Sequence, residues 1–438
     1  MAVESSTGTE RAAPPRPRGR NVRWAVISAV TVLTITSYLD RGNLSVAAPV
    51  IRDDLGFSAT QMGLVLSAFV WPYAIMNLPA GWAIDRFGPK IIMSVAAVMW
   101  SIAGAVTGLA RSVASFVGLR VLLGVSEAPL FPGALKATDE WFPDHEKARA
   151  TSVYIAATQV GLAIAPPITT ALLIAVGWQM MFVLIGGLGL IGVACWWFAY
   201  RHPDRHPRVS REELAYIKEN QRGGGAAAES AAALGKQWVK LFRYSTIWWM
   251  IIGGFCLQYV FWFYITWLPS YLESAQHFSI SAAGLLSALP YIAGGVAVVI
   301  GGRFSDLLVR RGMRAMDARR RTIAAGSLLT AIALAATAMS SGAAMAMTLL
   351  TIGMFTYSLT TASYWALASD VAQTSTMVGS IGSIQNFGGF LGGAFAPIAT
   401  GIIVDRFGGF VPALIVAAVL LLVSVVSYGL LARKRLPV

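Results

Sequence analysis

Long apolar stretches separated by short polar ones run along nearly the whole chain. Between residues 24 and 432 they recur twelve times, at roughly 24–50, 59–84, 90–110, 114–140, 146–176, 178–200, 244–272, 279–309, 319–340, 343–369, 375–404 and 409–432. About 20 apolar residues is the length a helix needs to cross the hydrocarbon of a bilayer. The pattern predicts an all-α membrane protein with twelve transmembrane helices. The longest polar segment, 201–243, falls between the sixth and seventh stretches and gives a 6+6 layout. Within it, VSREELAYIKENQ predicts a short helix with Ser210 as N-cap and acidic residues in its first turn. RGGGAAAESAAALG, further on, reads as flexible linker. The expected organisation is a disordered tail over 1–22, a six-helix bundle over 23–200, a cytoplasmic linker over 201–243, a second six-helix bundle over 244–432 and a short tail over 433–438.

Charge inside this apolar pattern is rare and placed in two spans. The first carries Asp40 and Arg41, and the fourth carries Arg120 and Glu127. A charged side chain near the bilayer centre costs at least about 2.5–3.5 kcal/mol, which makes each a candidate for function. Asp40 and Glu127 are the carboxylates deep inside spans and the candidate proton carriers. An organic anion entering a low-dielectric cavity needs a cation, and arginine keeps its charge while gripping a carboxylate with two parallel bonds. When all four groups are ionised they sum to zero. A bound anion adds negative charge, and a proton taken up with it restores the balance, so each favours the other's binding. The alternative is that these charges only set helix packing. Arg120 and Glu127, seven residues apart on one helix face, would then form a structural bridge. Asp40 and Arg41 point about 100° apart and do not make a simple pair.

Composition supports the membrane assignment: 56% of residues are hydrophobic and 13% charged, against about 25% charged in soluble domains. The net charge of +13 would suit a nucleic-acid binder, but its distribution points elsewhere. With the N-terminus in the cytoplasm, 28 of the 34 lysines and arginines fall in cytoplasmic segments. This bias predicts that both termini are cytoplasmic and that no nucleic acid is bound. Cys195 and Cys256 lie in apolar helices and suggest neither a disulfide nor a metal site. His145, His202, His206 and His277 map to loops or span ends, so histidine is not the expected core proton carrier. No nucleophile–base pair, metal cluster or phosphate loop stands in a polar domain, so neither an enzyme nor a cofactor is expected.

A repeat supports the division into halves. GWAIDRFGPK follows span two (Gly81, Asp85, Arg86, Gly88, Lys90), and GRFSDLLVRR follows span eight (Gly302, Asp306, Arg310, Arg311). In both, Gly precedes Asp by four residues and a base follows it by five, with 221 residues between copies. The glycines are expected to let helices approach closely, and Asp85 and Asp306 to pair or cap near an opposing helix end. In the second half, Gln258, Tyr259, Tyr264, Tyr291, Tyr357, Trp365, Gln385 and Asn386 can bond hydroxyls or stack on a ring. Asn386, an amide in the Gly-rich span eleven, stands out. For the tyrosines and Trp365, packing is at least as good a reading. Kinks are expected near Pro72, Pro79, Pro129, Pro132, Pro166, Pro167, Pro269 and Pro397.

Twelve spans in a 6+6 layout with GWAIDRFGPK resemble the major facilitator superfamily. YLDRGNLSVA, RVLLGVSEAPLFPG, EWFPDHEKARA, TWLPSYL and SIQNFGGFLGGAFAPIATG are similar to segments of its anion:cation symporter family, in the branch carrying galactonate, glucarate or hexuronates. The resemblance implies two pseudo-symmetric six-helix bundles around a central cavity opened alternately to either side. It implies a bacterial inner-membrane symporter that imports a sugar acid with protons. It marks Asp40 and Glu127 as protonation sites and Arg41 as lying by the substrate. Arg120 influences Glu127 at the substrate pocket, and Tyr73, Gln159 and Asn386 match pocket-lining positions. Gly42 departs from relatives, which often have Ala or Thr there. An aromatic or dicarboxylic acid as substrate, and a solute-binding sensor that moves nothing, stay open as alternatives. A monomer is expected, since each chain holds both halves of the pathway.

Overall fold

The structure is a computed structural model that describes residues 21–221, 240–372, 378–432 and 436. The expected tail up to residue 20, the Gly- and Ala-rich part of the linker (222–239) and most of the last six residues lie outside the described residues. The first half comprises α1 (Val22–Leu55), α2 (Ala59–Ser67), α3 (Val70–Phe87), α4 (Pro89–Thr107), α5 (Val113–Glu127), α6 (Leu130–Trp141) and α7 (Asp144–Ala199). A short helix, α8 (Arg211–Glu219), follows in the linker. The second half comprises α9 (Ser245–Ser270), α10 (Ile280–Leu286), α11 (Ala288–Arg310), α12 (Ala315–Met339), α13 (Ala343–Val371), α14 (Val378–Phe407) and α15 (Val411–Val426).

Among the described residues, eleven helical stretches are long and apolar enough to cross a membrane. One of them, α7, is 56 residues and holds two spans, so the spans number twelve. The chain turns back at Gly177, whose φ of 77° and ψ of 165° are closed to a residue with a side chain. This is the boundary expected between 176 and 178. Three spans are interrupted: α2 from α3 at Ala68–Phe69, α5 from α6 at Ala128–Pro129, and α10 from α11 at Ser287. Each break is followed at the third helical position by proline (Pro72, Pro132, Pro290), which has no N–H and crowds the carbonyl four residues back. The breaks after α2 and α10 occupy matching places in the two halves. Pro79, Pro166, Pro167 and Pro397, by contrast, sit inside continuous helices.

Glycines let the spans cross at backbone contact. A Cβ at Gly392 would overlap the Phe255 carbonyl of α9, and one at Gly388 would come within 2.5 Å of the Ile251 carbonyl. Large apolar side chains such as Ile75, Trp82, Ile174 and Ile332 point outward, as lipid-facing residues do. The linker helix α8 docks on the first half. Glu213 accepts from the backbone N–H groups of Val22 and Arg23 at the start of α1. It also pairs with the Arg23 guanidinium at 3.1 Å, while Arg23 bonds Glu146 of α7 at 3.0 Å. All three charged side chains are buried.

An even number of spans puts the start of α1 and the end of α15 on one face. The halves meet toward the opposite face. There Asp405 accepts from the backbone N–H groups of Ala59 and Thr60 (3.0 and 2.6 Å), and the Ser67 hydroxyl donates to the Ala394 carbonyl at 2.5 Å. Gly63 packs on the Pro397 carbonyl, Gly401 on that of Ala59, and Gly284 on Thr170.

Candidate functional site

The polar groups of α1 form a stripe. Ser37 and Arg41 are four residues apart, and Asp40 and Asn43 three apart, so the two pairs face different neighbours. Both meet α5. Glu127, with no exposed surface, accepts from the Ser37 hydroxyl at 2.7 Å and from Arg41 Nε at 2.8 Å. Asp40, 1% exposed, accepts from the Asn43 amide at 3.2 Å, and the Asn43 carbonyl oxygen accepts from Arg120 Nη2 at 3.2 Å. Gly104 of α4 closes the far side of Asp40, where an added Cβ would lie 3.2 Å from Oδ1.

Arg120 and Glu127 therefore do not form the bridge raised as an alternative. Seven residues keep them on one helix face but separate them by about 10 Å along the axis, so each reaches across to α1 instead. Asp40 and Arg41 point apart, as expected. One polar atom of each charged group has no hydrogen-bond partner among the described residues: Asp40 Oδ2, Glu127 Oε1, Arg41 Nη2 and Arg120 Nε. Buried polar atoms are nearly always bonded, so unused capacity on four neighbouring charged groups marks a place for a ligand, a proton or water.

The Arg41 guanidinium packs against three rings, Tyr38 at 4.6 Å, Phe69 at 5.0 Å and Tyr73 at 4.7 Å. Such contacts hold a cation in place without neutralising it. Tyr73 is buried, stacks on Phe69 and approaches Phe390 of the second half at 5.6 Å between ring centres. Gln159, on α7, is half-buried where α7 faces α11: a Cβ added at Gly295 would lie 3.9 Å from its own. Asn386 is half-buried on α14, one turn from Phe390, with no hydrogen bond among the described residues. Arg41, Tyr73 and Glu127 thus come together in one cluster and Asp40 and Arg120 in a second. No hydrogen bond among the described residues ties Gln159 or Asn386 to either. Ser37, Asn43, Tyr38 and Phe69 were not singled out from the sequence. The i, i+3 and i, i+4 spacing of Ser37, Asp40, Arg41 and Asn43 along one apolar helix was the signal for the first two.

Several of the second half's candidate polar residues bond within that half. Gln385 donates to the Tyr364 carbonyl, Tyr264 to that of Leu350 and Tyr291 to that of Tyr264. Trp365 is 55% exposed, with its ring edge-on to Tyr364. Gln258 accepts from the Tyr357 hydroxyl at 2.7 Å, and Tyr357 stacks on Phe261.

In the first motif copy, Asp85 pairs with Lys136 of α6 at 3.1 Å. Arg86 lies over Trp82 and Phe87, Lys90 over Trp197, and Gly88 ends α3 with φ of 81°. The close approach expected at Gly81 does not occur: a Cβ there would meet nothing within 4 Å. In the second copy the tight contact falls one residue early, at Gly301 on the Leu359 carbonyl. Asp306 is exposed, with no ion pair among the described residues.

The family model described as Major Facilitator Superfamily matches residues 30–393. The chain belongs to the major facilitator superfamily. It is 34% identical over 417 residues to a probable L-galactonate transporter of Escherichia coli (strain K12), covering 95% of this chain and 91% of that protein. It is also 34% identical over 389 residues to the probable sulfoacetate transporter SauU of Cupriavidus necator, covering 89% of each. Among solved structures, a bacterial homolog to the human lysosomal transporter Spinster, inward-facing and unoccupied, superposes with a TM-score of 0.78 at 18% identity. That match covers 95% of this chain and 98% of the other, and it shows the fold. The protein is thus a multi-pass membrane transporter related to carriers of organic acids, and not an enzyme.

Proposed function

We propose that the protein is a proton-coupled symporter that imports a small organic anion, most simply a sugar acid such as galactonate, glucarate or a hexuronate. The observation that carries this reading is the buried set of two carboxylates and two arginines, each with an unpartnered atom. With Glu127 ionised, Arg41 is held by it at 2.8 Å. Protonating Glu127 frees the guanidinium for the carboxylate of the anion, while Nη2 is free to receive it in either state. Tyr73, Gln159 and Asn386 then offer hydrogen bonds to hydroxyls, and Asp40 is the second proton site with Arg120 as its partner through Asn43. Proton and anion enter together because each removes the charge imbalance made by the other.

The names of the relatives support an acid as substrate. Two of these, a galactonate carrier and a sulfoacetate carrier, share a carboxylate on a short polar anion, the group a guanidinium fork accepts. The bias of lysine and arginine supports an inner-membrane protein with both ends in the cytoplasm. The halves are then closed toward the outside, and Asp85 and Asp306 stand on the cytoplasmic side as gating residues. Each chain carries a full pathway, which supports a monomer.

The test is uptake and counterflow by the purified protein in liposomes, with labelled galactonate, glucarate, glucuronate, sulfoacetate, a dicarboxylate and an aromatic acid. Saturable galactonate, glucarate or hexuronate counterflow supports the reading. Counterflow of the aromatic or dicarboxylic acid alone refutes the sugar-acid assignment. Binding without counterflow of any of them identifies a sensor instead.

A further inference from the structure

Asp40 and Arg120 carry opposite charges and are both buried side by side, yet they form no ion pair among the described residues. What stands between them is one neutral side chain. Asn43, itself 1% exposed, gives its N–H to Asp40 and takes an N–H from Arg120, both at 3.2 Å. A primary amide is suited to this place, because it donates from nitrogen and accepts at oxygen simultaneously. A carboxamide spacer keeps Arg120 from closing on Asp40, and it leaves Asp40 Oδ2 and Arg120 Nε without partners. Two direct contacts would have satisfied both groups and fixed them.

We propose that Asn43 is a positioning residue that holds Asp40 and Arg120 apart and passes the protonation state of one to the other. The inference rests on the symport reading above. With Asp40 ionised, the amide dipole is aligned by a carboxylate at one end and a guanidinium at the other, and the chain is mutually polarised. When Asp40 takes a proton, its pull on the amide N–H falls, the amide turns more easily, and Arg120 is less firmly held. Arg120 is then able to move toward an arriving anion. The surroundings contain few other groups that could carry this signal. From α1, Arg41 is engaged with Glu127, and Tyr38 lies on Arg41. From α5 the charged neighbours of Asp40 are Arg120 and Glu127. From α4 the contact is Gly104, and where α7 packs on this part of α1 it presents Gly161 at Tyr38 and Ala165 at Gly42.

The test compares the parent with Asn43→Leu in liposomes, reading galactonate uptake under an inward proton gradient and counterflow as functions of pH. Leucine neither donates to Asp40 nor accepts from Arg120, so the bonds that hold the guanidinium on Asn43 are gone and it turns toward the Asp40 carboxylate. The pair closes, and the uptake profile moves to more acidic pH by one unit or more, with counterflow recovered at the acidic end. Asn43→Ser, which keeps polarity but is too short to bridge, shifts the profile the same way and covers a failure of the leucine variant to fold. Asn43→Gln, which keeps an amide able to donate and accept, leaves the profile closer to the parent than leucine or serine does. A leucine or serine profile that stays in place or moves to alkaline pH, or a glutamine profile that shifts as far as the leucine one, overturns the assignment. Parent uptake that ignores the gradient overturns the symport reading and this inference with it, whereas gradient-driven parent uptake with an unmoved variant overturns the role of Asn43 alone.

Discussion

Replacing Arg41 with lysine separates charge from geometry at the proposed anion site. The guanidinium makes one bond to Glu127 through Nε at 2.8 Å, packs against three rings, and leaves Nη2 unpartnered. It can therefore hold Glu127 with one edge and an incoming carboxylate with another. A lysine ammonium is a point charge with no planar fork, and its stem ends short of spanning both acceptors. Arg41→Lys should lose one charge-assisted hydrogen bond to the anion, about 1.5–3 kcal/mol. At about 1.4 kcal/mol per tenfold, galactonate affinity should fall roughly 10- to 100-fold. Isothermal titration of the detergent-purified protein measures this, with thermal unfolding as the folding control. Parent affinity in a folded Arg41→Lys protein would refute the idea that this guanidinium grips the anion.

Gly104→Ala should lower uptake while leaving a folded protein, since its Cβ would lie 3.2 Å from Asp40 Oδ1 and the carboxylate must give way; uptake at the parent rate would show that Asp40 needs no such room. Arg23→Ala strips the guanidinium from two buried carboxylates, Glu146 and Glu213, and should destabilise the protein by about 3–5 kcal/mol, read as a large fall in melting temperature. Adding Glu146→Gln and Glu213→Gln should restore part of that loss. Asp405→Asn weakens the bonds that tie α14 to the start of α2 and should raise the labelling rate of a cysteine placed as Ser67→Cys in a protein without Cys195 and Cys256. An unchanged rate would show that these bonds do not hold that face shut.

The fold was legible because lipid makes a strong demand on sequence: each span must be long and apolar, and each return must be polar or contain a special backbone. Gly177 shows this, since two spans that run into one helical stretch were still separable at that glycine. Proline was a weaker guide. Pro72 and Pro132 follow true breaks, whereas Pro166 and Pro167 lie within a continuous helix, because neighbouring helices decide whether the freed carbonyl finds another partner. Asp40, Arg41, Arg120 and Glu127 were visible as charges in apolar surroundings. Their pairing was not, because it depends on the rotation of α5 against α1, which no single-helix pattern contains. Asn43 escaped for a related reason: an amide three residues after an aspartate looks ordinary until the guanidinium of another helix is seen on its far side. Gly81 misleads because a surface glycine inside a helix has the same sequence appearance as a packing glycine, and only the neighbouring backbone tells them apart.

Proton coupling through the two buried acids is the central claim, and its most direct test is gradient-driven uptake of labelled galactonate into liposomes by the parent, Asp40→Asn and Glu127→Gln. Coupling through these acids gives accumulation in the parent that collapses with the gradient, loss of accumulation in both variants, and counterflow retained in at least one. Equal, fully gradient-driven accumulation in both variants would contradict it.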